Sequence, residues 1–112
     1  MIVDVQEVKL QVYVPEAYIG AIRDALHDAG FLRVGEYDQV TSWQSSEGTW
    51  RPLEKAHPFD GTIGQLCHGF EVKLEVRSSS ARAKEAIQII RRIHPYEEPV
   101  IDIIPLIHEE QL

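Results

Sequence analysis

The chain has 112 residues, with 18 Asp and Glu against 11 Lys and Arg, and a formal net charge of −7. That balance excludes nucleic acid as the main partner, because neutralising phosphates takes a basic stripe. A hydrophobic content of 44 % is too high for a disordered chain. No apolar run approaches the ~20 residues of a membrane span, and Cys67 is the sole cysteine, so there is no internal disulfide framework. The expectation is one cytoplasmic domain over residues 1–112, with no membrane partner.

In chain order, residues 7–14 (EVKLQVYV) alternate, with Val8, Leu10, Val12 and Val14 on one face and Lys9, Gln11 and Tyr13 on the other, which predicts a half-buried strand. Pro15 and Glu16 suit the first turn of a helix. Tyr18, Ile22, Ala25, Leu26 and Ala29 then recur at helical spacing, and Gly30 falls where a left-handed cap would end it. Residues 33–44 are rich in β-branched and aromatic types but alternate irregularly, as an edge strand does. SSEG (45–48) reads as a turn and GTWRPL as the returning arm of a hairpin, with Trp43 and Trp50 stacked as a cross-strand pair or, if exposed, making an oligomer contact. Glu54 to His68 shows no period and reads as a long loop, with a short strand or turn at 62–66.

Residues 70–77 (FEVKLEVR) alternate again, with Phe70, Val72, Leu74 and Val76 inward and Glu71, Lys73, Glu75 and Arg77 outward. Ser78 or Ser79 caps a second helix whose stripe is Ala83, Ala86, Ile87, Ile90 and Ile93. After HPYEEP, residues 100–107 form a final strand that Pro105 assigns to an edge. The order β-α-β-β-α-β is that of a ferredoxin-like α+β sandwich, here with an extra hairpin arm and a long middle loop. Right-handed crossovers put both helices on one face. Lys9, Gln11, Tyr13, Glu71, Lys73 and Glu75 then share the other face, which must be solvated or meet a polar oligomer interface.

The densest group of chemically able side chains is HPYEEP, where Pro95 and Pro99 stiffen a bridge from helix to strand. His94 at a helix C-terminus is expected to be an imidazolium capping the last carbonyls; the alternative is a metal or anion ligand. Tyr96 reads as a packing anchor, and Glu97 and Glu98 point to opposite sides if extended. Cys67 and His68 are adjacent, with His57 upstream, but their spacing matches no zinc pattern. The candidate ligand-binding residues are therefore His94, Tyr96, Glu97 and His57. The candidate ligands of a divalent metal ion are His94, Glu97, His68 and Cys67. No catalytic residues are assigned, since GTIG lacks the lysine of a phosphate loop and no serine nucleophile elbow is present.

GTWRPL (48–53), HPFDGTIGQL (57–66) and HPYEEPVIDIIPL (94–106), in that order within such a frame, resemble the YqfO-type domain of proteins related to NGG-interacting factor three. The resemblance runs over residues 8–106 and departs locally at Trp50 and Lys55. It implies a fold similar to the CutA divalent-cation-tolerance and PII signalling proteins, which are trimers. It also implies that the middle loop and HPYEEP lie close together. In larger relatives the domain is an appendage beside a separate domain with a dinuclear metal centre, whose ligands map onto no residue here. The expected function is a non-enzymatic, self-associating module, a trimer by that resemblance, that binds a divalent cation or small ligand near HPYEEP. The rivals are a metal-dependent hydrolase assembled across subunits from His57, Cys67, His68, His94 and Glu97, and a purely structural or protein-interaction domain.

Overall fold

Because side chains alternate along a strand, Val8, Leu10, Val12 and Val14 fall on one face of β1 (Glu7–Val14), and all are buried. In the computed structural model, which describes residues 2–112, β1 sits inside a four-stranded antiparallel sheet with β2 (Ser42–Trp50), β3 (Cys67–Ser79) and β4 (Ile101–Leu106). The order is β2-β3-β1-β4, so the two alternating strands are central, as expected. Helices α1 (Ile19–Asp28) and α2 (Ala83–Ile93) cover the apolar face. Ile22, Leu26, Ala86 and Ile90 pack onto Leu10, Val12, Leu74 and Val76 in one core. Each fully buried aliphatic side chain there contributes about 1.5–3 kcal/mol relative to exposure. The arrangement is the ferredoxin-like α+β sandwich.

Both helices are entered through a single 3₁₀ turn, and in the second Ser79 Oγ accepts the Arg82 N–H at 3.3 Å. At the end of α1 the Gly30 N–H donates to the His27 carbonyl and the Phe31 N–H to that of Leu26. This reciprocal pair satisfies carbonyls that the helix leaves open, and it turns the buried Phe31 into the core. No helix of the described residues is long and apolar enough to cross a membrane.

The structure corrects the sequence in the second strand. Residues 33–41 are a loop containing a tight turn, in which Val34 and Tyr37 exchange backbone hydrogen bonds of 2.8 and 3.0 Å. The Ser45–Gly48 stretch lies inside β2, where Ser45 opposes Val72 and Gly48 opposes Gly69. Turn-prone residues are held extended by pairing along β3, a tertiary effect that local propensity does not carry. Trp43 and Trp50 consequently share one strand at an odd spacing and face opposite ways, Trp43 opposite Leu74 and Trp50 opposite Cys67. They are not a cross-strand pair.

β3 is also longer than expected. Its first residues, with the end of β2, form an arm that runs beyond the helices, so Phe70 keeps the parity of Val72 and Leu74 yet is 75 % exposed. The arm stretches the molecule to 49 Å in its longest dimension, with a radius of gyration of 15.9 Å against about 13 Å for a compact chain of this length. On the opposite sheet face the predicted polar set pairs with itself: Lys9 Nζ lies 3.3 Å from Glu75, and Gln11 Nε2 donates to the same carboxylate at 3.1 Å.

Candidate functional site

The loop 51–66, which closes the β2–β3 arm, folds back against the HPYEEP bridge. Its ends are tied by the Gly64 N–H donating to the Pro52 carbonyl at 2.8 Å. Trp50 Nε1 donates to the Asp60 carbonyl at 3.0 Å, and the His57 backbone N–H faces both oxygens of Glu97 at 3.0 and 3.1 Å. Phe59 lies between Tyr18 and Tyr96, with ring centroids 6.4 and 6.0 Å away. Between loop and bridge, over the end of the sheet, lies an open crevice of about 630 Å³. Tyr13, Gly69 and Glu71 line it from the sheet, Trp50 and Phe59 from the arm and loop, and Tyr96, Glu97 and Glu98 from the bridge.

His94 is not the expected imidazolium. It is 8 % exposed; its Nε2–H donates to the Tyr13 carbonyl at 2.7 Å, and its Nδ1 accepts the Tyr96 N–H at 3.2 Å. That pattern defines a neutral tautomer with both nitrogens in use. Burial pushes its pKa below the ordinary value, against the Tyr13 hydrogen bond and the Glu71 charge, which act the other way. The last turn of α2 is closed by backbone instead, the His94 N–H donating to the Ile90 carbonyl at 2.9 Å. The Tyr96 ring packs tilted against the His94 ring, centroids 4.7 Å apart, and its hydroxyl donates to Glu71 Oε2 at 2.8 Å. Burial, that hydrogen bond and the charges of Glu71 and Asp60 all hold the phenol protonated.

Of the residues singled out from the sequence, the structure brings His57, Tyr96 and Glu97 together, His57 through its backbone rather than its ring. The proposed metal set is dispersed within the chain. His68 Nε2 lies 2.6 Å from Glu47 on the arm and its ring meets Phe70, Cys67 Sγ sits against the Gln65 carbonyl, and His94 is occupied inside. Among the described residues no three His, Cys, Asp or Glu side chains converge as metal ligands do.

No family model matches the chain. A curated relative from Bacillus subtilis (strain 168), named GTP cyclohydrolase 1 type 2 homolog, is 39 % identical over 98 residues, which is 88 % of this chain and 26 % of that protein. The crystal structure of a Bacillus cereus protein related to NIF3 superposes with a TM-score of 0.77 at 31 % identity, over 92 % of this chain and 26 % of that one. The chain carries a YqfO-type domain of the NIF3-related proteins. It spans about a quarter of the length of the curated relatives it matches. CutA from Synechococcus elongatus PCC7942 shares the fold, with a TM-score of 0.69 at 16 % identity over 95 % of this chain and 81 % of that one.

Within this YqfO-type domain the crevice depends on residues that the sequence reading passed over. Glu71 and Tyr13 were legible only as outward positions of regular strands, and Phe59 only as part of HPFDG. What joins them is the close approach of loop and arm at Gly61. Its φ is +114°, and a Cβ there would stand 2.9 Å from both Cys67 Sγ and Trp50 Nε1. Gly61→Ala is expected to destabilise the chain by about 1–3 kcal/mol through strain and clash. It should also displace the Trp50 indole, seen as an emission shift in a Trp43→Phe background. An unchanged melting midpoint with unchanged emission would show that the loop has no need of glycine there.

Proposed function

We propose that this domain is a non-enzymatic binding module, which holds a small molecule in the crevice between loop 51–66 and HPYEEP and associates with itself through its exposed sheet edge. The observation that carries the first half is the crevice itself: its volume is that of a small-molecule site, and aromatic rings with a few polar groups line it. His94, Tyr96, Glu97 and His57 contribute to it as walls and fastenings. The reading is non-catalytic because the imidazole and the phenol of the bridge have other duties. His94 has both nitrogens bonded, and the Tyr96 hydroxyl is pinned to Glu71.

The second half rests on β2, which ends the sheet as a nine-residue edge strand with all but one residue exposed. It has no proline or bulge to blunt it, and Trp43 is 47 % exposed along it. Such an edge invites a further strand. The name of the Bacillus subtilis relative evokes a nucleoside triphosphate, but this crevice is walled by carboxylates that would repel one.

Native mass spectrometry of protein purified without chelator tests the self-association. The expected spectrum shows multiples of the 12.8 kDa chain, with a trimer the form favoured by the CutA-like fold. A bare monomer at every concentration refutes self-association. For the crevice, a fragment screen read by amide and indole N–H shifts is expected to perturb Trp50, Gly69 and Glu98 together. Hits that all fall elsewhere would refute the site.

A further inference from the structure

Ion pairs engage some of the surface carboxylates: Glu75 with Lys9, Glu85 with Arg82, Glu36 with Arg33, Glu7 with Arg77. The crevice gathers several carboxylates in one place. Asp60, Glu71, Glu97 and Glu98 line it against the single guanidinium of Arg51. Among the described residues none of those four carboxylates forms a salt bridge. They stand beside the rings of Trp50, Phe59, Tyr96 and Tyr13, whose π faces are themselves electron-rich and attract cations.

We infer that the crevice takes a small organic cation, an ammonium group carried on an apolar body, with the rings holding the body and the carboxylates the charge. This rests on the binding-module reading above and names the class of its ligand. Two exclusions and one chemical fit point the same way. An anion would enter a site with four negative charges and one positive. A bare metal ion would need three or four ligands on one point, and the described residues offer no such convergence. A quaternary or alkylated ammonium needs neither: its charge is diffuse, its surface is apolar, and it is stabilised by ring faces with carboxylates at longer range.

The test uses the full chain, labelled with nitrogen-15, and three probes of similar size titrated separately: benzyltrimethylammonium, benzyl alcohol and benzenesulfonate. Benzyltrimethylammonium is expected to move the Trp50 indole, Gly69 and Glu98 signals saturably, more strongly at low salt than at high salt. Glu98 is exposed and lines the crevice, so Glu98→Gln should fold normally and weaken that binding about two- to fivefold. If benzyl alcohol or benzenesulfonate binds there at least as well as the ammonium probe, the charge assignment is wrong while the binding site stands. If none of the three moves those signals, the site itself falls, and this inference with it.

Discussion

Leu74→Ala is expected to cost the fold about 2–5 kcal/mol, whereas Phe70→Ala, four residues earlier on the same face of β3, should change stability by no more than roughly 0.5 kcal/mol. Both positions belong to one run of apolar residues at strand spacing. Leu74 is fully buried in the core beneath α1 and α2, and its truncation removes transfer energy and leaves a hole that packed neighbours fill only in part. Phe70 lies where the arm has passed beyond the helices; it is 75 % exposed and touches the His68 ring edge-on at 5.8 Å. Urea unfolding of the two variants in dilute protein measures the difference. Equal losses would mean that Phe70 lies under cover that one chain does not supply, and a loss for Phe70→Ala that grows with protein concentration would identify a second copy as that cover.

The same contrast explains how much of the molecule was legible in the sequence. Positions with a period were read well: Val8 to Val14, Val72 to Val76 and the stripes of α1 and α2 each have one apolar side, and only one layered arrangement buries all four. β2 was misplaced because its pairing comes from β3 and not from its own residues. Ser45, Ser46 and Gly48 carry turn preferences that nine residues of ladder override. The strand therefore starts at Ser42 instead of Arg33, and both tryptophans change their neighbours. In the candidate site, the three stretches shared with the YqfO-type domain gave the right neighbourhood, since loop and bridge meet at His57 and Glu97. They did not give the roles. His94 looked available because a sequence does not show that the Tyr13 carbonyl, on a strand more than eighty residues earlier, will take one of its nitrogens. Glu71 looked like one solvated carboxylate among several, until Tyr96 reached across the sheet end to bond it.

His94→Ala is expected to destabilise the chain by about 2–4 kcal/mol, the sum of two lost hydrogen bonds and the burden of a Tyr13 carbonyl and a Tyr96 N–H left without partners. The loss should depend on pH, and its sign follows from the depressed pKa. The folded chain holds His94 neutral below its ordinary value of 6.5, while the unfolded chain takes up a proton there. Between 6.5 and the lower folded pKa the unfolded state binds more protons, so this contribution to stability is full above pH 6.5 and is lost as the pH falls through the folded value. The groups that oppose the shift, the Tyr13 carbonyl and the Glu71 carboxylate, weaken it without reversing it. Wild type and His94→Ala should therefore differ most above pH 6.5 and converge in acid, as read from urea midpoints across that range. A histidine that served as a metal or ligand contact would behave otherwise: alanine there would leave stability intact at every pH and abolish binding. That outcome would return the imidazole to the crevice and undo the structural role assigned to it here.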